Sequence, residues 1–341
     1  MTEQVLVTGV SGFIASHVTE RLLRQGRRVR GTFRNRAKAD RLVEKLASKN
    51  LQTDNLELME ADLAEDKAWQ DAVRDCSYIY HIASPFPLDP PLHREALVPE
   101  AREGALRVIK YGLEAGVQRI VMTSSIAAML GQPGRGAHKM IGEQDWSDPN
   151  WKPLGGYALS KTQAERAAWD YVRSQGAEDK FVTVNPGLVF GPDTYDNGGA
   201  SLALIKLMFR GEFPMTPKLA YPVIDVRDCA AIHIKAMAMP ETGGRRLIAA
   251  GQTLWMQEIA NILRTAYPTA KKLPRRDMPD FLPRFMAFFD DRIKMIKPYL
   301  GIFHEVDNAY VSSLTHVLPR PAAEAVLAAA DSLMVNGKIK F

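Results

Sequence analysis

The sequence predicts an α/β chain: a doubly wound parallel sheet with helices on both faces, followed by a smaller, mainly helical lobe. Three observations carry this. Short β-branched runs alternate with helical patterns over the first half of the chain. A glycine-rich turn joins the first run to the first helical pattern. The alternation ends after Pro192, where Gly and Pro clusters surround a short apolar stretch.

The elements follow in order. "QVLVTG" is compact and apolar and reads as a buried strand. "FIASHVTERLLRQG", residues 13–26, puts Ile14, Val18 and Leu22 at helical spacing and stops at Gly26. "RRVRGTFR", "LELMEADL" and "SYIYHIAS" read as the second, third and fourth strands. A long helix over 93–116 ends at Gly116, and "QRIVMTSS" is the fifth strand. A helix from Tyr157 to about Ser174 leads into "KFVTVNPGLVFGP", read as a sixth. The aromatic- and Met-rich stretch 278–301 reads as helical, and a closing helix runs from about Pro321 to Met334. The expected division is 1–190 for the sheet domain, with elements near 222–238 returning to it, and 191–341 for most of a substrate-binding lobe.

With 341 residues, 46% of them hydrophobic, the chain can bury a full core. No apolar run reaches membrane-spanning length, and "MTEQVLVTG" has no basic region before an apolar stretch. The two cysteines, Cys76 and Cys229, lie far apart, which fits a reducing cytoplasm. No His or Cys pair has metal-ligand spacing, so no metal is expected. The net charge is +5, but the basic residues are dispersed and read as a solvated surface, not a nucleic-acid face. The expected partner is a small molecule, with the chain a monomer or homodimer.

The turn "TGVSGFIAS" spaces Gly9, Gly12 and Ala15 three apart between strand and helix. Gly9 permits a tight turn, Gly12 lets a pyrophosphate approach the backbone, and Ala15 lets the helix sit close to the sheet. The segment Ser11, Gly12, Phe13, Ile14 then enters the helix, whose N-terminal N–H groups point at phosphates. This is a Rossmann-type dinucleotide cradle in the context such a motif needs. Where an NAD enzyme usually offers a carboxylate to the ribose, this chain has "GTFRNRAK". Arg34, assisted by Lys38, suits a 2′-phosphate, so the expected cofactor is NADP(H). Asp62 and Leu63 end the third strand near the adenine, and Ala83 and Ser84 end the fourth near the pyrophosphate or nicotinamide ribose. Thr123 ends the fifth strand at the same edge.

Ser124 or Ser125, in "VMTSS", also sits at that edge, and Tyr157 and Lys161 lie four apart on the following long helix. A serine hydrolase is disfavoured, because no Gly-x-Ser-x-Gly elbow is present. The pieces "TGVSGFIA", "ADL", "HIAS", "TSS", "YALSK" and "NPGLVFGP" occur in the order found in the extended short-chain dehydrogenase/reductase family, which the chain resembles over most of its length. "GTFR", "HIASPF", "AREGALRVI" and "VIDVRDCA" look most like its dihydroflavonol-reductase and aldehyde/ketone-reductase branch.

The resemblance implies catalytic roles for Ser125, Tyr157 and Lys161, and nicotinamide contacts for Pro186, Gly187 and Val189. Ser125 is preferred to Ser124 as the last of the serine run. Carbonyl reduction needs a proton at the oxygen, and a phenol has an ordinary pKa of about 10. Lys161 is expected to lower it, and Ser125 to hold the carbonyl oxygen. Lys161 is also expected to hold the nicotinamide ribose. Flavonoid reductases of this branch carry an Asn five residues after the catalytic Ser; here that position is Leu130, which suggests a less polar pocket. Phe86 and Leu188 are further lining candidates. The reading is NADPH-dependent reduction of a hydrophobic or aromatic aldehyde or ketone. The alternatives are a hydroxysteroid dehydrogenase, a nucleotide-sugar epimerase or dehydratase, or an NADP(H)-binding sensor without turnover.

Overall fold

The computed structural model describes residues 3–84, 93–133, 136–279, 281–282 and 296–340. Its main sheet is built from β1 (Gln4–Val7), β2 (Arg28–Phe33), β3 (Leu56–Glu60), β4 (Cys76–His81) and β5 (Arg119–Thr123) in the first part of the chain. Helices α1 (Phe13–Arg24), α2 (Arg36–Ala47), α3 (Trp69–Val73) and α4 (Val98–Glu114) connect them. Then come α5 (Ala127–Leu130), β6 (His138–Ile141), α6 (Gly156–Ser174), β7 (Phe181–Pro186) and β8 (Leu188–Phe190). The rest is α7 (Ala200–Arg210), β9 (Ala220–Asp225), α8 (Val226–Ala238), β10 (Arg246–Ala249), β11 (Thr253–Trp255), α9 (Met256–Ala266) and β12 (Phe303–Val306), with closing helices at Ala309–Thr315 and Ala322–Val335.

Seven strands pair in the order β10-β7-β5-β4-β1-β2-β3, all parallel. Side chains alternate faces along a strand, and here both faces are apolar. Val5 and Val7 enter the core under α1, α2 and α8, with Val18, Leu42 and Ile232. Leu6, between them, enters the opposite core with Ile79, Val108 and Trp169, under α3, α4 and α6. The strand order reverses between β1 and β4, so their carboxyl ends open a crevice where a dinucleotide binds in such folds.

Two expectations need correction. "KFVTVNPGLVFGP" is two strands, because the chain leaves the main sheet at Gly187. Its N–H donates to the Ala249 carbonyl at 3.0 Å, and a Cβ there would collide with the Pro222 carbonyl oxygen. β8 then joins a separate three-stranded sheet of order β11-β9-β8. The long helix of 93–116 starts later, at Val98, with Pro99 in its first turn. The main sheet also gains β10, which the sequence reading did not place. Beyond it, Leu202, Ile205, Met208, Leu263, Val326 and Leu333 form a further core between α7, α9 and the final helix. Most of the expected 278–301 helix lies outside the described residues.

Candidate active site

At the cradle, Gly9 has φ +63°, and Gly12 turns back to donate to the Gly9 carbonyl at 2.8 Å. No side chain caps α1, so its first-turn N–H groups face the crevice with the positive end of the helix dipole. Ser11, Phe13 and Ile14 are each half-buried around this turn, and Gly12 is exposed. Thr32 fixes the turn to β2, accepting from Gly9 N at 3.1 Å. A pyrophosphate therefore fits here both sterically and electrostatically.

Thr8 fixes the turn to β4. Its hydroxyl accepts from the N–H groups of Ile82 and Ala83, each at 3.0 Å. Both lone pairs are then used, so its proton goes to His81 Nδ1 at 3.0 Å. His81 is accordingly neutral with its proton on Nε2, and burial pulls its pKa down to about 3. Ala83 is held against Gly9, with no room for a Cβ between them.

The adenosine end carries Arg34, whose side chain is 63% exposed and whose Nη1 lies 3.9 Å from Asp62 Oδ1. Lys38 is exposed in the first turn of α2, where its N–H is capped by Asn35 at 3.0 Å. Asp62 Oδ1 also accepts from Ala64 N at 3.0 Å. Leu63 is buried, and its carbonyl accepts from Arg107. A loosely paired, exposed guanidinium beside the cradle fits a 2′-phosphate.

At the reacting end, the Ser125 hydroxyl lies beside the Tyr157 phenol and pulls its pKa down. The two serines divide their work. Ser124 Oγ donates to Glu165 Oε2 at 2.6 Å, whereas Ser125 Oγ accepts from Ala127 N at 3.1 Å and faces the phenol. Burial pushes the Tyr157 pKa up, against the pull of Ser125, although the side chain is 38% open to the crevice. The sequence expected Lys161 to lower this pKa. Lys161 is itself buried and pulled down to about 8, with Glu165 opposing the fall. Its ammonium donates to Ser84 Oγ at 2.9 Å.

Other expected contacts are partly committed elsewhere. The Thr123 hydroxyl lies 2.7 Å from His233 Nε2. Since His233 Nδ1 is 2.8 Å from the Cys229 carbonyl and must donate to it, Thr123 donates to His233. The Gly187 N–H is used by Ala249 and the Val189 N–H by Ser201 at 3.1 Å. Pro186 ends β7, and its carbonyl accepts from Ile126 N at 2.9 Å. Leu130 rests partly buried against Ile126, Met129 and Ile248, and Leu188 against the C-terminal core. Phe86 lies outside the described residues.

The sequence reading missed Glu165, Asn185 and Arg246, which meet beneath the serines. The only sequence signal was the four-residue step from Lys161 to Glu165. Among the described residues no group of three His, Cys, Asp or Glu residues is placed to hold a metal, and no helix is long and apolar enough to cross a membrane.

Residues 5–251 match the NAD-dependent epimerase/dehydratase family. The chain is 35% identical to cinnamoyl-CoA reductase 1 of Petunia hybrida over 268 residues, 77% of each chain. It is 32% identical to the NADPH-dependent methylglyoxal reductase of Saccharomyces cerevisiae over 288 residues, 78% of this chain and 83% of that one. The solved structure of yeast methylglyoxal/isovaleraldehyde reductase complexed with NADPH superposes with a TM-score of 0.77 at 26% identity, covering 98% of this chain and 100% of the other.

Proposed function

The chain belongs to the NAD-dependent epimerase/dehydratase family, and from that premise we propose that it reduces a hydrophobic or aromatic aldehyde or ketone, with Tyr157 as proton donor. It is an NADP(H)-dependent oxidoreductase acting on carbonyl groups, in the dihydroflavonol-reductase-like branch. The observation that carries the finer reading is the placing of the Ser125 hydroxyl beside the Tyr157 phenol, whose pKa it lowers, one helical turn from Lys161.

When bound, NADPH supplies the hydride. The α1 N-terminus and Gly12 would hold its pyrophosphate, Arg34 and Lys38 the 2′-phosphate, and Lys161 the nicotinamide ribose. In this reading the Ser125 and Tyr157 hydroxyls would both donate to the carbonyl oxygen of the substrate. The raised pKa keeps the phenol protonated near neutrality. An alkoxide is far more basic than a phenolate, so proton transfer from Tyr157 to the developing oxyanion runs downhill. Leu130 and Leu188, apolar and half-buried, favour an apolar group on the carbonyl.

The test is NADPH oxidation with a panel of aliphatic and aromatic aldehydes and ketones. Turnover is expected to favour the more hydrophobic carbonyls, and Tyr157→Phe should lower it by at least ~100-fold. Retained turnover in Tyr157→Phe would remove the phenol as the acid.

A further inference from the structure

Glu165 is 0% exposed and lies four residues beyond Lys161 on the same helix. Four donors meet its carboxylate. Ser124 Oγ and Asn185 Nδ2 donate to Oε2 at 2.6 and 2.8 Å. Thr183 Oγ1 and Arg246 Nε donate to Oε1 at 3.1 and 2.7 Å. Asn185 Nδ2 also reaches the Ser125 carbonyl at 3.3 Å. A carboxylate offers about four lone-pair positions, and all are used here. The donors come from the loop after β5, from β7 and from β10, so one side chain ties three strands to α6.

We propose that Glu165 is a positioning residue for the reduction: it locks the Ser124–Ser125 strand end against the helix carrying Tyr157 and Lys161, and it places a negative charge one turn from the Lys161 ammonium. The role rests on the carbonyl-reductase reading for its catalytic consequence, though not for its geometry. Arg246 holds the carboxylate in turn. Its guanidinium stacks 3.6 Å above the Trp146 ring and donates to the Glu143 and Asp145 carbonyls at 2.7 and 2.6 Å. The Glu143 carboxylate pairs with Arg245 and also accepts from the Arg246 backbone N–H at 3.1 Å.

Lys161 and Glu165 line one cavity of ≈ 20 Å³, with His81, Ser84 and Ser124. The facing surface of α4 contributes Ala101 and Ala105, which carry no charge. His81 is neutral, as its bond to Thr8 requires, and Tyr157 is a phenol. Glu165 is therefore the one anion among the groups lining this cavity, and it supports a charge that burial opposes.

The experiment measures NADPH affinity by fluorescence from pH 6 to 9.5, without substrate, in wild type and Glu165→Gln, and kcat in Ser124→Ala. Wild-type affinity should fall as pH rises through about 8, where Lys161 loses its proton. In Glu165→Gln that midpoint should drop by about one pH unit, which a general loosening of the fold does not produce. Ser124→Ala should lower kcat by about three- to tenfold, with NADPH affinity unchanged. An unmoved midpoint in Glu165→Gln, or an unchanged kcat in Ser124→Ala, overturns the proposal. If Glu165→Gln does not fold, because it leaves Arg246 unpaired, Ser124→Ala decides alone. If no carbonyl is turned over, the proposed reduction fails while the shifted midpoint still establishes the charge role of Glu165.

Discussion

The Lys161 ammonium donates to the Ser84 hydroxyl at 2.9 Å, which pins a buried cation to the end of β4. Burial holds its pKa at about 8, against an ordinary 10.5. The folded site thus carries a charge it would be more stable without, a cost of about 3 kcal/mol. The sign follows from proton binding. Below pH 8 both folded and unfolded forms are charged and the cost is full. It fades as pH rises toward 10.5, because only the unfolded chain still binds the proton there. Lys161→Met should therefore raise stability by about 1–3 kcal/mol at pH 7, and by progressively less above pH 8. Glu165 keeps Arg246 in that variant. Urea unfolding at pH 7 and pH 9.5 checks both points, and carbonyl reduction should be lost.

The cradle was legible because its chemistry is local: Gly9, Gly12 and Ala15 run from just after the first strand into α1, and Arg34 directly follows the next strand. Tyr157 and Lys161 were legible for the same reason, being neighbours on a helix face. Glu165 was not. In "KTQAER" it looks like any solvated helix residue, and its burial depends on Arg246 arriving from β10. That strand is the four-residue run "RLIA", too short for periodicity to separate strand from helix. The break at Gly187 was hidden because it depends on a carbonyl from Pro222, a long-range contact no local pattern records. The burial of Lys161 beside Ser84 was hidden for a related reason, because the two residues lie 77 positions apart in the chain.

Arg34 should decide cofactor preference. Its guanidinium is 63% exposed and 3.9 Å from Asp62, and such a pair contributes less than about 1 kcal/mol. Little holds it back from a phosphate dianion. Arg34→Ala should weaken NADPH binding by about ten- to a hundredfold, from loss of a charge-assisted bond of about 1.5–3 kcal/mol. NADH binding should change by less than about threefold. Fluorescence titrations with both dinucleotides measure this, and an unaltered NADPH-to-NADH ratio takes Arg34 out of the 2′-phosphate site.

Acid should loosen the fold before the carboxylates titrate. Burial lowers the pKa of His17 and His233 to about 4 and of His81 to about 3, from 6.5. The unfolded chain binds these protons near pH 6.5 and the folded chain does not, so stability present above pH 6.5 is lost as pH falls toward 4. His17 Nε2 holds the Pro192 carbonyl at 3.2 Å, and its ring packs edge-on against Phe13 and Tyr195. His17→Phe preserves the ring and removes one titration. Between pH 6 and 5 the slope of stability against pH should become shallower by about 1.4 kcal/mol per unit. Urea unfolding at several pH values reads the slope, and an unchanged slope means His17 is protonated in the folded chain.

Gly9 and Gly26 offer a matched pair for the cradle. Both have positive φ, +63° and +71°, so alanine at either takes on a left-handed strain of about 1–2 kcal/mol. They differ in their neighbours. A Cβ at Gly26 meets nothing within 4 Å, whereas one at Gly9 would lie 2.9 Å from Ala83 Cβ and 3.2 Å from Ala83 Cα. Ala83 cannot retreat without loosening its 3.0 Å bond to Thr8, and Thr8 in turn holds His81. Gly26→Ala should therefore cost stability alone and leave NADPH affinity within about twofold. Gly9→Ala should cost at least as much stability and also weaken NADPH by more than about tenfold, because the turn that aims α1 at the pyrophosphate is displaced. Equal NADPH affinities in the two variants would mean that the cradle tolerates the shift and that the close approach of Gly9 to Ala83 does not govern cofactor binding.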